Sequence, residues 1–177
     1  MRRWVGLSAL FVACSLLILR QLPLVLINVS QSLPRGVYWR KNSSIAVGDI
    51  AVVCAESIAS LTWITDRAYT GNGGCADGTA PLLKPVAAVG PGRIVETDSG
   101  VIINGQVIEG SKPLSWDSRG NPMPVLRGET YLASDQLYLL STHHVLSLDS
   151  RYFGPVPERA IRMVVTPVLT EELLWTH

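Results

Sequence analysis

The chain has 177 residues, of which 47% are hydrophobic, and this length allows one membrane segment and one domain with a sizeable core. The net charge is only +1, from 15 basic and 14 acidic residues, so the basic excess of nucleic-acid-binding proteins is absent and no nucleic acid is expected as a partner. With 15 Gly and 11 Pro against 7% aromatic residues, the composition favours a turn-rich β domain over a helical one.

An uncharged apolar run over residues 4–19 follows Arg2 and Arg3, and it continues beyond Arg20 to residue 27. A helix that spans a bilayer needs about 17–25 apolar residues, and residues 4–27 provide them if Arg20 lies near an interface. The two arginines at the start predict that the N-terminus stays in the cytoplasm and that the rest of the chain is exported.

The alternative to a membrane anchor is a signal peptide that is cleaved off. This alternative is disfavoured because the stretch RQLPLVLINV, which follows the first part of the run, contains no small-residue cleavage site. We therefore predict a transmembrane signal anchor over residues 1–27 and an exported β domain over residues 28–177.

The exported part reads as short strands separated by turns. Predicted strands lie, in chain order, in GVYW, residues 47–55, residues 80–108, ETYLAS, QLYLLST, HHVLSLD and AIRMVVTPVL. Within residues 80–108, Asn104-Gly105 joins two short β runs and is a strong hairpin signal. Weak helical character is confined to residues 58–69. Several short strands with regular turns predict an all-β sandwich or barrel-like domain.

Two of the three cysteines, Cys54 and Cys75, lie in the predicted exported part, where disulfides persist. Cys54 ends an apolar run and Cys75 lies in the turn-rich loop TGNGGCADG, so a bridge between them would fix that loop to a strand and contribute roughly 3 kcal/mol. The alternative is two unrelated buried thiols. No C-x-x-C pair is present, and no metal site is expected.

Lysine is scarce, and the three lysines differ in their surroundings. Lys41 and Lys112 have polar or turn-forming neighbours, whereas Lys84 lies in the apolar stretch PLLKPVAAV. Burial would disfavour the charged form of Lys84 and lower its pKa, which would allow the amine to accept a proton from a serine hydroxyl. The alternative is a lysine on an edge strand whose amine reaches water.

The stretch SQSLPRG places Ser32 directly after the apolar run, among residues that stiffen and turn the backbone. Such a serine is either an ordinary turn residue or a nucleophile that is held rigidly. A rival Ser–His–Asp site would use His143, His144 or His177 with Asp149, but no G-x-S-x-G motif is present. The H-E-x-x-H and phosphate-loop motifs are absent as well, and no cofactor is expected.

Five short motifs follow the apolar run in the order SQSLPRG, VGDIAVV, LLKPVAAVGPGRIV, INGQVI and SLDSRYFGPV. This order resembles the type I signal peptidases, and more closely their conjugative-transfer branch, the TraF-type peptidases. The resemblance extends over residues 30–156. It implies a mostly β, signal-peptidase-like domain after one N-terminal transmembrane helix, in the bacterial inner membrane with the catalytic domain on the periplasmic side.

The resemblance also implies roles for individual residues. Ser32 matches the nucleophile of a Ser–Lys dyad, and Lys84 matches its general base. Ser30 matches the residue whose hydroxyl helps to form the oxyanion hole, together with the backbone N–H of Ser32. Ser147 matches the serine that orients the lysine amine.

Asp149 and Arg151 match an ion pair that supports the site in this family. The resemblance implies a serine endopeptidase that cleaves leader or signal segments from exported precursors, and the conjugative branch implies a pilin or another transfer component as substrate. Membrane lipid is the other expected partner. The alternatives are a housekeeping type I signal peptidase and a non-catalytic β-domain subunit of a secretion or conjugation complex.

Overall fold

The computed structural model of the chain describes residues 24–58 and 61–175. The strands are β1 Val25–Asn28, β2 Gly36–Lys41, β3 Ile50–Val53, β4 Leu82–Val89, β5 Gly92–Thr97, β6 Gly100–Ile103, β7 Gln106–Ile108, β8 Gly128–Leu132, β9 Gln136–Leu139, β10 Val156–Pro157 and β11 Ile161–Thr170. The helices are α1 Thr62–Asp66, α2 Ser150–Phe153 and α3 Glu171–Trp175, and 3-10 turns lie at Ala55–Ser57 and Glu158–Ala160. The prediction of a mostly β chain is confirmed.

The predicted signal anchor falls largely on residues 1–23, which lie outside the described residues. Its last part is described and is extended, because β1 starts at Val25 and pairs with β2 from Val25 opposite Trp39 to Asn28 opposite Gly36. Within residues 24–58 and 61–175, no helix combines the length and the apolar character that crossing a bilayer requires.

The strands form two antiparallel sheets. The larger sheet has seven strands in the order β1-β2-β11-β3-β4-β9-β10, and the smaller has four in the order β7-β6-β5-β8. The hairpin predicted at Asn104-Gly105 is confirmed, since these residues join β6 to β7 with positive φ angles of 49° and 87°. β1 lies at an edge of the larger sheet, whereas β4 lies inside it between β3 and β9.

The strand predicted in HHVLSLD is wrong. Residues 143–149 form turns and bends, because their hydrogen bonds close locally instead of reaching a neighbouring strand. The Ser147 N–H donates to the carbonyl of His144 at 3.0 Å, and the Leu146 N–H donates to Nδ1 of His144 at 3.2 Å. The alternation of apolar and polar residues in this stretch therefore belongs to a loop, in which Val145 and Leu146 are exposed.

Buried apolar side chains fall into three clusters, of which one bears directly on the predicted site. This cluster consists of Leu33, Tyr38, Val52, Leu83 and Val165. Leu33 follows Ser32 in the β1–β2 loop, and Leu83 precedes Lys84 in β4. Because both leucines pack in one cluster, the loop that carries Ser32 is held against the part of the sheet that carries Lys84.

The predicted bridge between Cys54 and Cys75 is confirmed, with the two Cα atoms 5.8 Å apart. It fixes the loop before β4 to the end of β3, and Arg162 on β11 holds the same loop by donating to the carbonyl of Gly74 at 2.7 Å. Glu56 lies close to both sulfurs, and these three residues form the one cluster of metal-ligand types in the described part of the chain. Two of its three members are taken up by the disulfide.

Candidate active site

Lys84 is buried inside the larger sheet, with 2% of its surface exposed, so the alternative of an edge-strand lysine that reaches water is wrong. The other two lysines, Lys41 and Lys112, are exposed. Burial lowers the pKa of Lys84 to about 8, against an opposing influence of the nearby Asp149 carboxylate. A substantial fraction of this amine is therefore neutral near pH 8, where an exposed lysine is almost fully charged.

The amine of Lys84 has a defined partner. Its Nζ donates a hydrogen bond to Oγ of Ser147 at 3.0 Å, and both side chains are buried. This contact joins two residues that are 63 positions apart in the chain. The structure thus brings these two predicted site residues together, and the orienting role of Ser147 stays a prediction.

Asp149 and Arg151 form a buried bidentate ion pair. Arg151 Nε lies 2.8 Å from Asp149 Oδ1, and Nη2 lies 2.8 Å from Oδ2. The guanidinium also reaches the carbonyl oxygens of Ser141 and Ser147, each at 3.3 Å from Nη2. The pair is thus hydrogen-bonded to the backbone of Ser147, the partner of Lys84, and its supporting role stays a prediction.

The geometry does not support the rival Ser–His–Asp site. His143 Nδ1 lies 3.4 Å from Glu172 Oε1, and Nδ1 of His144 accepts a hydrogen bond from its own loop. Both carboxylate oxygens of Asp149 are bonded to Arg151 and to backbone N–H groups. Among the residues that the structure describes, no histidine is hydrogen-bonded to Asp149 or to Ser32, and His177 lies outside them.

Ser32 is half-buried in the loop that joins β1 to β2. Its carbonyl oxygen accepts a hydrogen bond from the buried Ser141 hydroxyl, and the Ser141 N–H donates to Asp149 at 3.1 Å. One network therefore runs from the Ser32 backbone through Asp149 to Ser147 and Lys84. Within the described residues, however, no hydrogen bond joins the Ser32 hydroxyl to the Lys84 amine.

The backbone N–H of Ser32, one of the two predicted oxyanion donors, donates to no acceptor among the described residues. The hydroxyl of Ser30, the other predicted donor, instead bonds to Oδ1 of Asn28 at 2.8 Å. The predicted Ser30 role therefore requires this hydroxyl to rotate away from Asn28.

Two residues that are hydrogen-bonded to the Ser32 loop, Asn28 and Ser141, were not predicted from the sequence. Both are buried polar residues that follow an apolar stretch, since Asn28 ends β1 after VLI and Ser141 comes after LYLL. A buried polar side chain requires a hydrogen-bond partner. A polar residue directly after a predicted buried strand was therefore the sequence feature that could have identified both residues.

The family model described as signal peptidase, peptidase S26, matches residues 1–168. The chain belongs to the signal peptidase S26 family. Within this family it belongs to the TraF branch, because it is 30% identical over 145 residues to the plasmid transfer protein TraF of Escherichia coli, covering 81% of this chain and 82% of that one. It is 34% identical over 154 residues to the conjugal transfer protein TraF of Agrobacterium tumefaciens (strain 15955), covering 81% of each chain.

A crystal structure of a signal peptidase I from Enterococcus faecalis V583 aligns with this member of the S26 family at 14% identity. The alignment covers 71% of this chain and 100% of that chain, and its TM-score is 0.42. No conclusion about the arrangement of the site follows from an alignment at this level.

Proposed function

We propose that this chain is a serine endopeptidase whose Ser32–Lys84 dyad removes leader or signal segments from exported precursors. The observation that carries the proposal is the buried Lys84 amine with its pKa near 8, held by Ser147 in the network that reaches the Ser32 backbone. A buried amine of this kind is a competent general base for a serine hydroxyl.

In the proposed reaction the neutral Lys84 amine accepts the proton of Ser32 while Ser32 Oγ attacks the scissile carbonyl. The amine keeps its N–H bond to Ser147, which leaves its lone pair free for the serine proton. The tetrahedral oxyanion is stabilised by the Ser32 N–H and the Ser30 hydroxyl, each by about 3–4 kcal/mol. The protonated amine then gives its proton to the leaving amine, and water resolves the acyl-enzyme.

A groove that includes Ser30 and Leu83, close in the chain to Ser32 and Lys84, favours a peptide substrate. It has a volume of about 440 Å³ and runs along the whole of the edge strand β1 to Ser30. Residues 72–74 and 80–81 of the loop before β4, together with Leu83, also line it. Val52 and Met163 contribute to its largely apolar lining. An extended peptide can bond to the free edge of a strand and place alternate side chains in such a groove, so we propose that the leader segment binds here.

The TraF names of the relatives favour a transfer component, such as a pilin precursor, over the substrates of a housekeeping signal peptidase. The non-catalytic alternative, a β-domain subunit of a transfer complex, predicts no cleavage. We propose the conjugative substrate for this chain because its relatives are named for plasmid and conjugal transfer.

Cleavage by the purified full chain in detergent is the direct test. Wild-type protein should cleave an exported precursor from its own transfer system, and Ser32→Ala should leave no detectable cleavage because the nucleophile is gone. Ser43→Ala, at an exposed serine between β2 and β3, is the matched control and should retain full activity. A wild-type protein that cleaves no such precursor would favour the non-catalytic alternative.

The rate of cleavage should depend on pH through Lys84. Only the neutral amine accepts the serine proton, so kcat/KM should rise about tenfold per pH unit below pH 8 and level off above it, because the pKa of Lys84 is about 8. The measurement is kcat/KM from about pH 6 to pH 10. An acid limb with a midpoint near 6.5, the ordinary value for histidine, would contradict the lysine assignment.

We also propose that the chain is a single-pass protein of the bacterial inner membrane with its β domain in the periplasm. The arginines at positions 2 and 3 before the apolar run support this orientation. Alkaline phosphatase fused to the C-terminus should be active, since that enzyme requires export. An inactive fusion together with an active cytoplasmic reporter at the same position would refute both the orientation and the exported substrate.

A further inference from the structure

Asn28 is a buried polar residue at the end of β1, with 4% of its surface exposed. Its Nδ2 lies 3.2 Å from each of three carbonyl oxygens in the β1–β2 loop, those of Ser30, Leu33 and Pro34. Its Oδ1 accepts hydrogen bonds from the backbone N–H of Ser30 at 3.0 Å and from the Ser30 hydroxyl at 2.8 Å. One side chain thus holds the segment on both sides of Ser32.

Two carbonyl groups of this loop have donors other than Asn28. The Ser32 carbonyl accepts from the Ser141 hydroxyl, and the Pro34 carbonyl accepts a second hydrogen bond from the Tyr38 hydroxyl at 2.6 Å. Four carbonyl groups of this loop therefore have donors, those of Ser30, Ser32, Leu33 and Pro34. The Ser32 N–H is left without an acceptor in the described residues. A site for an oxyanion needs this arrangement, because a carbonyl oxygen nearby would repel the developing charge.

We infer that Asn28 is the positioning residue of the oxyanion hole, an inference that rests on the proposed function. Its amide group directs the carbonyl groups of the β1–β2 loop away from the scissile carbonyl of the substrate. It also fixes the Ser32 N–H in an orientation towards that scissile carbonyl. Its Oδ1 holds the Ser30 hydroxyl in the resting enzyme. The hydroxyl rotates to the oxyanion when that stronger, charged acceptor forms, and no proton is transferred in this exchange of hydrogen bonds.

The substitution Asn28→Asp tests the inference with almost no change of shape. A carboxylate cannot donate to the three loop carbonyls, and it binds the Ser30 hydroxyl more tightly than an amide oxygen does. We expect kcat, measured per folded molecule, to fall on the order of 10²–10³-fold, while KM changes by less than about threefold. The control Asn104→Asp, whose Oδ1 also accepts a backbone hydrogen bond, from Arg93 at 2.8 Å, should leave both constants unchanged.

If Asn28 had only a structural role, Asn28→Asp would leave kcat per folded molecule unchanged, and this result would overturn the inference. The proposed function would still stand if the wild type cleaves the precursor in a manner that depends on Ser32. The double variant Asn28→Asp/Ser30→Ala should be impaired by no more than about threefold beyond Asn28→Asp, because both changes disable the same donor. Fully multiplicative effects would show that Asn28 does not act through Ser30.

Hydrogen exchange provides a measurement that does not depend on cleavage. The backbone N–H of Ser30 bonds to Asn28 Oδ1, so Asn28→Ala should speed exchange in the segment 29–35 by at least about tenfold relative to wild type. If the wild type cleaves no precursor, the proposed function fails, and this exchange rate still decides whether Asn28 holds the loop. Unchanged exchange in that segment overturns the inference.

Discussion

Replacing Lys84 with alanine should abolish precursor cleavage, with a loss of at least about 10⁴-fold in kcat. The reason is that Lys84 is the one buried lysine among the described residues, since Lys41 is paired with Asp49 at 2.6 Å on the surface and Lys112 is exposed. The measurement is precursor cleavage by each purified variant in detergent above pH 8, where the wild-type amine is neutral.

Lys84→Arg should be as inactive as Lys84→Ala, although it keeps a positive, hydrogen-bonding side chain. A guanidinium does not lose its proton in a protein, so it cannot accept the serine proton at any working pH. Lys41→Ala is the matched control, because it removes an exposed lysine from the same sheet and should retain full activity.

The Ser32→Ala/Lys84→Ala double variant should be no more impaired than either single variant, because nucleophile and base act as one unit. His143→Ala and His144→Ala should keep most of the activity, since neither side chain is hydrogen-bonded to Asp149 or Ser32 in the described structure. Near-normal turnover by Lys84→Ala, together with loss of turnover in a histidine variant, would contradict the Ser–Lys dyad and favour the Ser–His–Asp alternative.

Features that depend on neighbours in the chain were predictable from the sequence. The β6–β7 hairpin follows from Asn104-Gly105, whose residues tolerate the positive φ angles of the turn. The apolar neighbours of Lys84 suggested burial but left an edge strand open, and the place of β4 between β3 and β9 decides for burial. Residues 143–149 are the exception, because their sequence predicted a strand and the structure has a loop. Their alternating pattern is typical of a strand, but His144 accepts local hydrogen bonds that close a turn.

Features that depend on distant contacts were not predictable from the residues alone. The Lys84–Ser147 contact spans 63 positions, and only the family resemblance indicated it. Ser141 contacts the Ser32 backbone across 109 positions, and nothing in its local sequence identifies that partner. Asn28 was missed for a related reason, because its role depends on how the whole β1–β2 loop folds back over it.

The second large effect concerns the buried ion pair of Asp149 and Arg151, which links the fold to the site. Asp149→Ala leaves the Arg151 guanidinium buried, with 2% of its surface exposed, and without its counter-ion. An uncompensated buried charge of this kind destabilises a protein by about 3–5 kcal/mol. The free energy of unfolding, from urea titration of the full chain in mild detergent followed by tryptophan fluorescence, should fall by that amount.

The double variant Asp149→Ala/Arg151→Met should lose less stability than the sum of the two single variants, by about 2 kcal/mol, because it removes the stranded charge together with its partner. Some loss should remain, since Arg151 also donates to the carbonyls of Ser141 and Ser147. Glu129→Ala is the control, because it breaks the bidentate pair with Arg93 on the surface, where water solvates the freed charge, and it should change stability far less. If Asp149→Ala and Glu129→Ala lower the free energy of unfolding equally, burial does not determine how much the Asp149–Arg151 pair stabilises the chain. The pair would then support Ser147 only through the hydrogen bonds of Arg151.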